Sequence, residues 1–495
     1  MQLAQKKKLM TTKTKATLTP LFIATTAILL IGLGARELWS LETRWANIVI
    51  QMIQSQDYWH PFLKGESYYD KPLLSYWLMI ATSKVMGSVS TISLRLPSVF
   101  SALASVYFIY TIGTRLFDKQ TGLIAGWLLS TTFYFIFWGR VASADMLNVA
   151  GMLAAIAWFF RDPEKTTFWN YVVFFQIIAL TCLCKGLLGL VLPGLILMPY
   201  LIQHHLWQRH LNIKLFLAII PAIVTYLIPF FVPSMMGEAY QSTGLDLVIK
   251  ENVTRFIAPF DHKNPIYTYF IYLPVFTLPW TPLFIAALIK VARHWKEQAA
   301  NTQWLVWVLA ILFVFFTASG SRRSYYVLPL VPFAQLLCAV LIKTWVDKQQ
   351  QNYLWWLRAS GLSAAIVYAV FFGIALPWYY AGGGLPVFGQ AVKEAALKQA
   401  PWDEWHIVMI DIDNKVPFYV QTSSPFTFIT SLELEKYGKS AFKAPPPNRT
   451  IFLIPARNEA LLQPYLAHYK RIESTPTNGE RFFSKKIKPT IAFVP

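Results

Sequence analysis

The chain has 495 residues, 55% of them hydrophobic and only 14% charged, with a net charge of +19. Soluble chains carry about a quarter charged residues, so this composition excludes an ordinary soluble enzyme. With apolar runs recurring from Leu18 to about Trp378, it indicates a polytopic membrane protein. Much of the positive charge lies in short loops between those runs, where it sets orientation and argues against nucleic-acid binding. Cys182, Cys184 and Cys338 all fall in apolar stretches, so neither a disulfide framework nor a zinc motif is indicated.

In chain order, Lys6, Lys7, Lys8, Lys13 and Lys15 hold residues 1–17 as a cytoplasmic tail. The first apolar run, 18–34, has no small-residue cleavage site after it and reads as a retained helix. Next comes "ETRWANIVIQMIQS", in which Trp45, Ile48, Val49 and Met52 recur at helical spacing among polar residues. That pattern predicts an amphipathic helix lying in the membrane interface. The segment 73–82 has an apolar length of only about 15 Å at about 1.5 Å per residue, too short to cross, and reads as a second interfacial helix. Further crossings are expected near 96–114, 121–139, 146–160, 168–184, 186–203, 215–234, 267–289, 303–318, 325–344 and 354–378, eleven with the first. Every connection this places inside carries at least two basic residues, for example Arg115 with Lys119 and Arg209 with Lys214.

Residues 379–495 change character. "HIVMIDI", "PFYVQ" and "RTIFLIPA" read as strands and "FGQAVKEAALKQA" as a helix. The expected architecture is therefore an α-helical polytopic membrane domain, residues 18–378, with about 11 transmembrane helices and a first outer loop, 35–95, holding two interfacial helices. A small α/β domain, 379–495, follows on the outer face because an odd number of crossings ends there.

Charges at a membrane edge are costly and each needs a reason. Under this topology Glu42, Arg44, Asp70, Lys71, Arg140, Asp145, Lys185, Glu251, Arg255, His262, Lys263, Arg322 and Arg323 converge on the outer side. Some have a plain structural use: a carboxylate in a first helical turn, as at Glu42, is stabilising in itself, Asp145 opens a helix it could cap, and Arg44 can reach to headgroups. Together, though, carboxylates and cations at a membrane surface suit chemistry on a lipid-linked phosphate. Cations stabilise the charge gained by a phosphate leaving group, and a carboxylate accepts the proton of an attacking hydroxyl.

The motifs "LETRW" at 41–45, "YYDKP" at 68–72, "RLPSVFSAL" from Arg95, "ASADM" with Asp145, "CKGLLGLVLP" with Lys185, "TRFIAPFDHKNPIYTYF" from Thr254 and "SRRSYYVLPLVPF" from Ser321 follow one another in fixed order. Together they resemble the lipid-dependent GT-C glycosyltransferases, most nearly the aminoarabinose transferases that modify lipid A and more distantly the protein O-mannosyltransferases. The resemblance implies an inner-membrane GT-C fold and an inverting transfer of a pentose or hexose from an undecaprenyl-phosphate donor to a periplasmic acceptor such as lipid A, lipopolysaccharide or another glycan. It matches Lys71, Arg255 and Tyr326 to positions that hold the lipid phosphate, with Arg322 nearby, and Asp145 to a required acid. Two departures stand out. Leu41 replaces the first acid of the family's Asp-Glu pair, leaving Glu42 or Asp145 as base, or the chain inactive. Asn252 stands where a His is common, which weakens the case for a metal; no cofactor is assigned, and a divalent metal is left open. A flippase for a lipid-linked sugar is the rival class, though no paired repeat supports it.

Overall fold

The computed structural model describes residues 18–63, 66–68, 71–235, 264–348, 351–420, 426–442, 449–466, 468–483 and 489–495. Its first helix, α1 (Leu18–Leu30), is followed by α2 (Ser40–Ser55), a two-stranded hairpin of β1 (Phe62–Leu63) and β2 (Glu66–Ser67), and α3 (Leu74–Val85). The helical bundle continues through α4 (Thr91–Leu116), α5 (Lys119–Ser130), α6 (Phe133–Gly139), α7 (Ala144–Phe159), α8 (Phe168–Lys185), α9 (Leu188–Gln203) and α10 (Ile213–Met235). It is completed by α11 (Thr268–Phe276), α12 (Thr281–Arg293), α13 (Ala300–Ala318), α14 (Val331–Asp347) and α15 (Gln351–Val370).

Among the described residues six helices are long and apolar enough to cross a membrane, or eight if each of two bent pairs is one span. The pairs are α5 with α6, bent by 70°, and α11 with α12, bent by 112°. The shorter apolar helices α1, α7 and α9 occupy the remaining stretches expected to cross. The sequence reading ran straight through both bends. In hydrocarbon, backbone groups freed at a break must find partners inside the protein, and here the two breaks serve each other. Phe133 N–H donates to Leu278 O at 2.9 Å and Trp280 Nε1 to Thr131 Oγ1 at 3.0 Å. The Tyr368 hydroxyl of α15 donates to Thr131 O at 2.7 Å.

Both interfacial helices form, but the apolar stripe of α2 has a different destination from the one expected. Trp45, Ile48, Val49 and Met52 are buried against protein, with Tyr76 and Met79 of α3, Leu94, Ala142 and Phe418. The stripe was expected to rest on the membrane surface. It is instead the floor on which α3 and the C-terminal domain sit, since side chains of neighbouring elements reach it first.

The C-terminal domain has a five-stranded sheet, order β4-β3-β5-β7-β6 in this numbering: β3 (His406–Ile410), β4 (Phe426–Ile429), β5 (Thr450–Pro455), β6 (Lys470–Glu473) and β7 (Thr490–Val494). β3 pairs in parallel with β4 and β5, while β7 runs antiparallel to β5 and β6. The predicted helix is present as Gly384–Leu397. "PFYVQ", read as a strand, is a helix over Val416–Val420. Asp413 Oδ1 accepts from Lys415 N–H at 2.9 Å and turns the chain, and Pro417, which cannot donate to a sheet ladder, is tolerated in a first helical turn. This domain docks on α2: Leu38 N–H donates to the Tyr419 hydroxyl at 2.8 Å, and the Asn47 amide to Asn414 O at 3.0 Å.

Candidate active site

Two charged constructions stand at the end of the bundle that faces the C-terminal domain. The first is built on Glu42, in the first turn of α2 and fully buried. Arg95 grips it with two nitrogens, Nε to Oε1 at 2.8 Å and Nη2 to Oε2 at 2.9 Å. Arg36 Nη2 reaches Oε2 at 2.9 Å, and the backbone N–H groups of Trp39 and Ala142 donate at 2.8 and 2.9 Å. Arg95 is itself buried and uses its remaining N–H groups on the carbonyls of Leu33, Arg36 and Glu37. Both oxygens of Glu42 thus accept hydrogen bonds, Oε1 from Arg95 and Ala142 and Oε2 from Arg95, Arg36 and Trp39. The carboxylate locks the 31–39 link, α2, α4 and the 140–143 turn together.

The second is built on Asp145. Ser143 caps α7, its hydroxyl accepting from Asp145 N–H at 3.3 Å, so Asp145 stands in the first turn, where the helix dipole favours a carboxylate. The sequence reading offered Asp145 as the cap; Ser143 does that work and leaves the Asp145 side chain for other contacts. Lys185, the last residue of α8, pairs with Asp145 Oδ1. Gly186 ends α8 there with φ of 87°, a left-handed backbone that a residue with a Cβ rarely adopts, and so keeps Lys185 at the helix end. The Lys185 ammonium lies 5.4 Å from the Tyr326 ring and 6.0 Å from that of Tyr325. Tyr325 packs on Trp138 with centroids 4.5 Å apart and accepts a hydrogen bond from Arg323 Nη1 at 2.7 Å. Oδ2 of Asp145 has no hydrogen-bond partner among the described residues.

The other predicted residues divide. Lys71, half-buried, lies four residues before Ser75, whose hydroxyl donates to Cys184 O at 3.0 Å and so holds the start of α3 beside the end of α8. Arg44 donates to the Tyr68 hydroxyl at 2.7 Å and ties that residue to α2. Arg322 bonds the carbonyls of Thr317 at 3.0 Å and Asn264 at 2.8 Å, and Asn264 returns a bond to Arg322 O at 2.7 Å. These contacts tie the residue entering α11 to the end of α13. Arg140 bonds the carbonyls of Ile28, Leu29 and Ile31 and ends α1. Asp70, Glu251, Arg255, His262 and Lys263 lie outside the described residues. Among the described residues no group of three or more metal-ligating side chains gathers. From the sequence Arg95 entered only as the start of the "RLPSVFSAL" motif, with no role, and Arg36 not at all; the signal was an arginine five residues into a largely apolar helix, in "TISLRLPSVF".

The dolichyl-phosphate-mannose-protein mannosyltransferase family matches residues 70–235. An undecaprenyl phosphate-alpha-4-amino-4-deoxy-L-arabinose arabinosyl transferase of Shewanella sediminis is 28% identical over 372 residues, 72% of this chain and 64% of the relative. The transferase of the same name from Yersinia enterocolitica is 28% identical over 353 residues, 68% of this chain and 61% of the relative. The chain thus spans less than two thirds of the length of these curated relatives. The crystal structure of ArnT from Cupriavidus metallidurans bound to undecaprenyl phosphate has a TM-score of 0.72 at 17% identity, covering 96% of this chain and 97% of that one. Archaeal oligosaccharyltransferase AglB from Archaeoglobus fulgidus, in complex with an inhibitory peptide and a dolichol-phosphate, has a TM-score of 0.53 at 12% identity, covering 88% and 69%. Sequence and fold agree: the chain shares the polytopic helical fold of these solved structures and resembles the aminoarabinose transferases in sequence.

Proposed function

We propose that the protein is an inverting glycosyltransferase of the bacterial inner membrane that moves a sugar from an undecaprenyl-phosphate-linked donor to an acceptor on the periplasmic side, with lipid A or another glycan as the acceptor class. The observation that carries this reading is the Asp145–Lys185 pair at the ends of α7 and α8, beneath Tyr325 and Tyr326, with the Lys71 segment fastened alongside. In this reading Asp145 Oδ2 accepts the proton of the acceptor hydroxyl as that oxygen attacks the anomeric carbon. The bond from that carbon to the phosphate oxygen breaks, and polyprenyl phosphate leaves. Lys185, Lys71 and Arg255 stabilise the charge on the departing phosphate, with Tyr326 beside it. Glu42 takes no proton; it holds Ala142, three residues before Asp145, and thereby sets the carboxylate's position. The site end is periplasmic, the C-terminal domain with it, and the N-terminus is cytoplasmic.

Release of polyprenyl phosphate from a lipid-linked sugar, measured with membrane vesicles, tests the reading. Asp145→Asn is expected to lower the rate about 10²–10⁴-fold at unchanged expression, and Lys71→Ala to abolish transfer. Full release by Asp145→Asn would defeat the assignment of the base. Sugar crossing the membrane without release would make the protein a flippase, and neither event with any lipid-linked sugar would leave an inactive relative. Because the cations named are side chains, activity is expected to survive treatment with EDTA.

A further inference from the structure

A cationic chamber whose lining does not include Asp145 lies between the end of α1 and the last membrane helix. It is a cavity of about 60 Å³ lined by Arg36, Arg95 and Arg140, with Gly32, Phe372 and Leu376 among its walls. One water occupies about 10–15 Å³ on such a measure, so the space suits a few waters or one tetrahedral oxyanion. Gly32 is required here: its φ is 58°, and a Cβ on it would come within 2.0 Å of Phe372 O.

Charge in the chamber is not balanced by its own walls. Among the described residues three guanidiniums line it and no carboxylate does; Glu42 sits behind Arg36 and Arg95. Arg140 forms no ion pair with any described residue, its bonds going to three backbone carbonyls and its guanidinium lying 4.0 Å from the Phe372 ring centre. Arg36 gives only Nη2 to Glu42, and its Nε and Nη1 have no hydrogen-bond partner among the described residues. Burial first, and the neighbouring Arg95 after it, push the Arg36 guanidinium below its ordinary value even against the pull of Glu42. An anion would relieve that repulsion and use the idle donors. The surroundings of the cavity are apolar and uncovered: Leu30, Ile31 and Ile374 are 44%, 36% and 65% exposed. An anion carried on hydrocarbon suits both halves of this site, the charged chamber and its greasy margin, and in the proposed orientation the cavity begins where α1, the first apolar helix, ends.

We propose that this three-arginine chamber binds the phosphate of an anionic phospholipid from the leaflet on the site side, at a position separate from the donor phosphate. Native mass spectrometry of the full-length protein in neutral detergent tests it, with dioctanoyl phosphatidylglycerol, dioctanoyl phosphatidylcholine and inorganic phosphate as probes. The wild type is expected to retain one phosphatidylglycerol, at least about tenfold more tightly than phosphatidylcholine. Arg36→Gln is expected to lose about tenfold, the worth of one charged hydrogen bond. Leu376→Trp, which fills the wall while leaving every arginine and the Glu42 contacts in place, is expected to lose binding too, with its melting temperature kept. Equal retention of the two lipids, or wild-type binding in both variants, would overturn the site. Displacement of phosphatidylglycerol by millimolar inorganic phosphate would overturn the lipid as its source. None of these readouts depends on transferase activity.

Discussion

Glu42 shows how far a single side chain's surroundings can redirect its chemistry. Burial alone would raise its carboxyl, but the guanidiniums of Arg95 and Arg36 and the hydrogen bonds around it bring it down to about 2, below the 4.5 of a free glutamate. Because the folded value lies under the unfolded one, the stability it contributes is whole above about pH 4.5 and is lost as pH falls toward about 2. Glu42→Gln leaves Arg95 buried without its counter-charge, and breaking such a pair costs about 3–5 kcal/mol. The variant is therefore expected to melt well below the wild type at pH 7, with the gap narrowing in acid. An equal melting temperature at pH 7, alongside lost transfer, would instead restore Glu42 as a direct participant in the reaction. Asp145 differs by having one oxygen without a hydrogen-bond partner among the described residues, and in the proposed mechanism that difference separates a fastening from the proton acceptor.

At the scale of elements, α2 acts as a keystone. Its stripe is packed by α3 below the hairpin and by Phe418 of the C-terminal domain, with Trp45 and Tyr76 rings 4.7 Å apart. Trp45→Ala is expected to cost about 3–5 kcal/mol, as truncation of a large buried ring does, and to lower the melting temperature in detergent. Had the stripe rested on lipid, the same change would alter membrane association and leave the melting temperature in place. The bent pairs follow the same logic of mutual satisfaction, since the Thr131 and Leu278 breaks share hydrogen bonds that neither helix could make alone.

For the whole molecule, the C-terminal domain, Glu42 and Asp145 are linked through Tyr419–Leu38 and Glu42–Ala142 contacts, so they share one face of the bundle. The proposed orientation puts that face in the periplasm. Cys182, Cys184 and Cys338 are buried and should give little background. A membrane-impermeant maleimide is expected to label exposed Lys398→Cys in spheroplasts, and exposed Arg209→Cys only after lysis. The opposite pattern would invert the topology and remove the periplasmic acceptor.

Composition and hydropathy by themselves determined that the chain is a membrane bundle with a separate α/β end, because apolar length and charge placement are local properties that lipid reads directly. The order of short motifs was enough to suggest the GT-C class, and helical spacing identified the four residues of the α2 stripe. Tertiary structure alone decided what those parts touch. It placed protein over the stripe, turned "PFYVQ" into a helix at Pro417, bent two spans, and enclosed Glu42 between Arg36 and Arg95. A carboxylate reads the same in sequence whether its oxygens are saturated or open. Which of the two it becomes depends on donors delivered by residues far along the chain, as Arg95 is to Glu42 and Lys185 to Asp145.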